Sequence, residues 1–224
     1  MPKLCPKIIL EGTRLTHKTD LAFALNEHPD VVGERKYRYH SPVVSGEWCG
    51  FTNTPWGRGL INFGPVELEH ALAAYDAWLN LIEHLPFYSW IIDRFHVSTL
   101  AHQRHEAALG TEQLAVLESH LEQTEARLHA LGFRLVLCVR EPASFQAARA
   151  ERLKVSGNPS QYDDLSRFVG EQERLRSIVE RSTLGTLVVD VSDDDVASAA
   201  NRVADWLKRT GGLHAPADLT LPGR

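Results

Sequence analysis

Residues 12–19, Gly-Thr-Arg-Leu-Thr-His-Lys-Thr, set a glycine, a lysine and a threonine at the spacing of the phosphate-binding pattern G-x-x-x-x-G-K-[ST]. The apolar run Lys7-Ile8-Ile9-Leu10-Glu11 precedes them and an amphipathic stretch follows, so the turn would join a strand to a helix. In such a loop the backbone N–H groups of Gly12, Thr13, Arg14, Leu15, Thr16 and His17 converge on a phosphate together with the helix N-terminus. Lys18 would neutralise the β- and γ-phosphates of ATP, and the Thr19 hydroxyl would ligate Mg2+. His17 stands where the pattern has its second glycine. If that backbone must be left-handed, a histidine costs about 1–2 kcal/mol, while its imidazole offers an extra donor. Taken alone, these residues would also make an ordinary strand-to-helix turn.

A second group, Asp93-Arg94-Phe95-His96-Val97-Ser98, follows the short apolar run Ser89-Trp90-Ile91-Ile92. The C-terminal ends of parallel strands form the edge at which open α/β sheets bind ligands. Asp93 there would hold Mg2+ through water or accept a hydroxyl proton. Arg94 would clamp a phosphate or carboxylate with two N–H groups; a strand-end ion pair would use the same two residues. Arg149 and Arg152 lie just ahead of the break Gly157-Asn158-Pro159, offering either two guanidinium groups to a ligand or a solvated helix face. His102 and Glu106 are one helical turn apart, with His96 and His105 nearby. Without a further ligand pair at a fixed offset they read as polar helix residues rather than a metal site.

These groups need a scaffold, and the pattern supplies one. Short β-like runs alternate with amphipathic helices, which predicts a mainly parallel sheet covered on both faces. The expected strands are 7–11, a second starting at Val31-Val32 and continuing through Tyr37-Arg38-Tyr39, then 89–92, 134–139 and 187–191. Helices are expected from Lys18 to Glu27, along the Leu68, Leu72, Tyr75, Leu79, Ile82 stripe, on either side of Gly110, after Glu141-Pro142, and over Val196, Ala200, Val203 and Leu207. Residues 41–64 break the rhythm with glycines and prolines, among which stand Trp48, Phe51, Trp56 and Phe63. That segment is either a functional loop or an irregular stretch packed on the core.

At 224 residues, 43% hydrophobic and 24% charged, the chain suits one compact domain. A net charge of -5 disfavours a nucleic-acid polymer as partner. The odd, scattered Cys5, Cys49 and Cys138 favour reduced thiols and a cytoplasmic location. No apolar run is long enough to suggest a membrane partner.

The opening Ile8-Ile9-Leu10-Glu11-Gly12 with Lys18-Thr19 resembles that of thymidylate kinases and the related deoxynucleoside kinases, and Asp93-Arg94-Phe95 resembles the Asp-Arg-aromatic motif of the former. The resemblance implies a three-layer α/β fold of the P-loop NTP hydrolase type, a five-stranded parallel sheet with helices on both faces. It implies one domain over residues 1–209, with an acceptor-side insertion near 41–64, a lid near 149–161 and a tail at 210–224. ATP and Mg2+ would be the cofactors and a nucleoside, nucleotide or related small molecule the phosphoryl acceptor, with a homodimer possible. Lys18, Asp93, Arg94 and the lid residues Arg149 and Arg152 would be catalytic, with Thr19 and Asp93 at the metal. Glu34, with Glu47 behind it, would be the base toward the acceptor hydroxyl. Residues 35–63 would line the acceptor pocket, and Ser192-Asp193-Asp194 would meet the nucleotide base. His17 and the extra charge of Asp20 depart from the family pattern. They leave open a second reading, a catalytically degenerate nucleotide-binding protein that acts through partners.

Overall fold

The computed structural model describes residues 4–33, 43–45, 68–105, 109–157 and 159–215. A parallel sheet, in the order β2-β3-β1-β4-β5, organises them. Its strands are β1 (Lys7–Glu11), β2 (Val43–Ser45), β3 (Trp90–Asp93), β4 (Arg134–Val139) and β5 (Gly185–Asp190). The helices are α1 (Lys18–Glu27), α2 (Pro29–Val32), α3 (Leu68–His84), α4 (His96–His105), α5 (Thr111–Ala130), α6 (Phe145–Leu153), α7 (Leu165–Val179) and α8 (Val196–Arg209).

Alternation along the strands divides the core in two, because successive side chains point to opposite faces. Ile9, Ile92, Leu135, Leu137 and Val139 pack on one face against Tyr75, Leu79 and Ile82 of α3 and Leu117, Leu121 and Leu128 of α5. Val97 of α4 and Leu175 of α7 complete that layer. Ile8, Leu10, Ile91, Val136, Cys138 and Val189 pack on the other face against Leu21 and Leu25 of α1 and Ala200, Val203 and Leu207 of α8. Strands with both faces covered read as continuous apolar runs, as β1 and β4 do. A third, smaller cluster of Phe145, Tyr162 and Phe168 joins α6 to α7 and touches Leu15 of the phosphate loop.

Four of the five expected strands lie in the sheet, and the described start of the expected second strand does not. Val31 and Val32 belong to helix α2 instead, because Pro29 is pre-set for a first helical turn and the His28 ring accepts the Asp30 N–H at 3.2 Å. Gly33, at φ 64°, ends that turn. The edge position beside β3 is taken by Val43–Ser45, from the stretch expected to be an insertion, with Val43 opposite Ile91 and Ser45 opposite Asp93. Tyr37-Arg38-Tyr39 and the remainder of 41–64 lie outside the described residues.

Candidate phosphate-transfer site

The phosphate loop is built on its first glycine. Gly12 has φ 150°, and a Cβ there would lie 2.6 Å from the Cys138 carbonyl oxygen and 2.8 Å from Thr16 Oγ1. No side chain fits between β1 and β4 at that point. The loop then curls back on itself: the Thr13 carbonyl accepts from the Thr16 hydroxyl at 2.7 Å and from Lys18 Nζ at 2.6 Å. Lys18 is thereby folded back over the loop and buried. Arg14 is half-buried at the loop's crown.

His17 sits in the left-handed region, φ 51° and ψ 21°, at the N-cap of α1. This is the backbone a glycine supplies without strain. Two side-chain bonds hold it there, Nδ1 with Asp20 Oδ2 at 2.9 Å and Nε2 with Asp194 Oδ1 at 2.8 Å. The hydrogen bond with Asp20 raises the imidazole above its ordinary value, burial opposes this, and Asp194 adds to the rise. As an imidazolium His17 donates from both nitrogens.

Asp93 and Arg94 meet the loop from the end of β3. The Thr19 hydroxyl donates to Asp93 Oδ2 at 2.5 Å, so the two proposed metal-binding oxygens are already together. Arg94, at φ 63°, continues the sheet pattern through its N–H to the Leu10 carbonyl at 2.8 Å. Its guanidinium turns inward, 2% exposed, and donates from Nη1 to Glu171 Oε1 at 3.0 Å. The other oxygen of Glu171 accepts from the Thr13 hydroxyl. Burial disfavours charge on Glu171, but Arg94, Thr13 and Lys18 outweigh it and hold the carboxyl below its ordinary range. Beneath them the fully buried Glu11 accepts the Phe95 N–H at 2.9 Å and the Ser98 hydroxyl, fixing the start of α4.

Glu171 and Arg140 take part in this site although neither stands in a recognisable motif. Arg140, buried at the end of β4, donates from Nε to the Leu15 carbonyl at 2.9 Å and from Nη2 to Asp194. Gln172 of α7 brackets its backbone, accepting the Arg140 N–H at 2.8 Å and donating to the Arg140 carbonyl at 2.9 Å. One sequence signal was present: Gln172 lies on the stripe Phe168, Leu175, Val179, a polar residue on an otherwise apolar helix face. Asp194, expected only near a nucleotide base, is joined to the loop through both His17 and Arg140.

The two candidate lid arginines lie on α6, facing the turn before α7. Arg149 donates to the Tyr162 carbonyl at 2.7 Å and to Asp163 at 3.1 Å; Arg152 donates to the Tyr162 hydroxyl at 3.2 Å. Neither is bonded to the phosphate loop, but the charge of Arg152 is among those that hold Asp20 low. Glu34 and Glu47 lie outside the described residues, as does Glu106. His96 faces Glu125, 3.3 Å from Nε2 to Oε2.

The donor set suits Mg2+. Thr19 and Asp93 offer hard oxygens, and Mg2+ at phosphate sites takes one or two protein oxygens while keeping waters and phosphate oxygens. Among the described residues no group of three or more His, Cys, Asp or Glu is placed to hold a metal ion. Nor, among them, is any helix long and apolar enough to cross a membrane.

No family model matches the chain, and no curated protein matches its sequence. Solved structures match its shape. The YorR protein of Bacillus subtilis, solved in complex with phosphorylated GDP, aligns at TM-score 0.54 and 18% identity over 92% of this chain and 98% of that one. Deoxyadenosine kinase of M. mycoides, solved with bound dATP, aligns at TM-score 0.52 and 12% identity over 90% and 99%. Thymidylate kinase of Candida albicans covers 96% of each chain at 14% identity and TM-score 0.49. With the strand order, the glycine-pinned loop and the helices on both faces already in view, the first two likenesses establish that this chain has the fold of the P-loop nucleotide kinases.

Proposed function

We propose that the chain transfers a phosphoryl group from ATP to a hydroxyl of a nucleoside, nucleotide or related small molecule. The observation that carries this reading is the Thr19 hydroxyl on Asp93 Oδ2 at 2.5 Å, at the head of a helix whose first residue is the buried Lys18. The acceptor oxygen bonds the γ-phosphorus as the bond to the β–γ bridging oxygen breaks. ADP leaves with that electron pair, and the hydroxyl proton passes to solvent. Lys18 and the loop amides hold the β- and γ-phosphates where charge develops. Thr19 and Asp93 would hold Mg2+, which neutralises phosphate charge and orients the transferred group. Arg94 and Glu171 line the acceptor side. Residues 149–161 act as a lid, with Arg149 or Arg152 leaving Tyr162 and Asp163 to close over the phosphates.

The test is calorimetric titration of Mg-ATP into the wild type and into Lys18→Ala. Micromolar binding that the variant loses is the expected result. A folded wild type that binds no Mg-ATP up to millimolar concentration sinks the reading. One observation favours a second reading, a nucleotide-binding or partner-binding domain without catalysis. His17, in the place of the pattern's second glycine, is engaged with the carboxylates of Asp20 and Asp194 on both ring nitrogens, so its imidazole is committed to the protein itself.

A further inference from the structure

The edge proposed above to take the acceptor carries a built-in anion. Arg94 is the cation that phosphate on an acceptor would seek, yet its Nη1 already donates to Glu171 at 3.0 Å, and it is 2% exposed. Glu171 is engaged twice more, accepting from the Thr13 hydroxyl and lying within the electrostatic reach of Lys18. Two donors suited to a phosphate, Arg94 and Thr13, thus converge on one carboxylate, with Lys18 near enough to act on its charge. Glu171 is also the more open partner, with 19% of its side chain exposed. A ligand arriving from solvent therefore meets the carboxylate before the guanidinium. A carboxylate accepts hydrogen bonds and repels anions.

We infer that Glu171 sets the charge of the acceptor: the hydroxyl compound that this site phosphorylates is uncharged where it meets Arg94, a nucleoside or comparable polyol rather than a nucleoside monophosphate. The inference rests on the phosphotransfer reading above and narrows it. Two contacts hold Glu171 in this position. The Thr13 bond ties Glu171 to the phosphate loop, so swinging it aside for an acceptor phosphate would also release the loop's second residue. Its neighbour Gln172 is bonded at both ends to the Arg140 backbone, which anchors this turn of α7. The reaction is otherwise unchanged: the neutral acceptor's oxygen takes the γ-phosphoryl group of ATP, ADP departs with the bridging oxygen's electrons, and one proton is released.

The experiment has two arms. In the first, the full chain with Mg-ATP is offered thymidine, deoxyadenosine, deoxyguanosine and deoxycytidine, and separately their 5′-monophosphates, with ADP formation followed. The wild type is expected to use at least one nucleoside tenfold or more faster than its monophosphate. Glu171→Gln, checked for an unchanged melting transition, is expected to shrink or invert that ratio. A structural role alone would lower both rates together. In the second arm, inorganic phosphate is titrated calorimetrically without ATP. Glu171→Gln is expected to bind it at least tenfold more tightly than wild type, and Glu171→Gln with Arg94→Met is expected to lose the gain. Preference of the wild type for monophosphates overturns the inference. So does an unchanged ratio in a folded Glu171→Gln, or the use of none of the eight acceptors by a wild type that binds Mg-ATP. The wild-type ratio needs no variant, so it decides even if Glu171→Gln does not fold. Failure to bind Mg-ATP would instead remove the phosphotransfer reading, and the phosphate titration would still show whether Glu171 fills the anion position.

Discussion

Gly12 and His17 bound the same loop and tolerate change very differently. At Gly12 the obstacle to a side chain is backbone, the Cys138 carbonyl at 2.6 Å from an added Cβ. Gly12→Ala is therefore expected to destabilise by more than 2 kcal/mol, since β1 and β4 cannot separate without losing their ladder; urea unfolding measures it. At His17 the left-handed strain of about 1–2 kcal/mol is set against two partly exposed ion pairs, each worth roughly 0.2–1 kcal/mol. His17→Gly removes both strain and pairs, so its stability should stay within about 1 kcal/mol of wild type. His17→Ala keeps the strain and loses the pairs, and should be the less stable variant by about 1 kcal/mol or more. Equal stability of the two would show that the imidazole, not the backbone, governs this position.

Among the elements, β4 and α1 were legible residue by residue, and α2 was not. Arg134–Val139 is an unbroken apolar run after a single arginine, and Lys18–Glu27 has Leu21 and Leu25 one turn apart. Val31-Val32 has the composition of a strand, but Pro29 and the His28 cap decide the local backbone first. The site divides the same way. Loop and Asp93-Arg94 could be read because their residues are contiguous, whereas Glu171 and Arg140 acquire a role only when α7 and β4 are brought beside Thr13 and Leu15. β1 carries a further residue that no pattern flags. Lys7 is fully buried, its Nζ has no hydrogen-bond partner among the described residues, and burial lowers its pKa from 10.5 to about 8, against a small opposing effect of Cys5. The unfolded chain holds that proton more tightly between those two values, so stability should rise with pH across the window. Lys7→Met is expected to stabilise the protein by about 1–3 kcal/mol near neutrality, with the gain shrinking above about pH 8. An unchanged urea midpoint near neutrality would contradict the desolvation cost.

Among the described residues the two larger cores lie on either side of one sheet, and several polar residues join distant elements around the larger of them. Glu125 is one. From α5 it faces His96 of α4 and accepts from the Ser182 hydroxyl at 2.8 Å and from both donors of Thr183, ahead of β5. Burial alone would raise its pKa, but His96, Thr183 and Ser182 overcome this and bring it from 4.5 to about 2. A carboxylate depressed in the fold adds stability that is complete above its unfolded pKa and is lost as pH falls toward the folded one. Glu125→Gln is thus expected to lower the unfolding midpoint near neutrality, with the difference from wild type closing between about pH 4.5 and pH 2. Chemical denaturation at a series of pH values follows that convergence. A gap that stays constant through this range would mean that Glu125 acts through packing, not charge.

Leu15, His17, Arg94 and Asp194 all have positive φ, and three of the four are fastened through side chains to neighbours in the same edge. A loop held this way before any ligand arrives has little left to assemble when one does. Capture of a nucleotide by the loop should then show as a first phase in stopped-flow mixing whose observed rate constant rises in direct proportion to concentration with no plateau, any slower phase belonging to closure of the proposed lid.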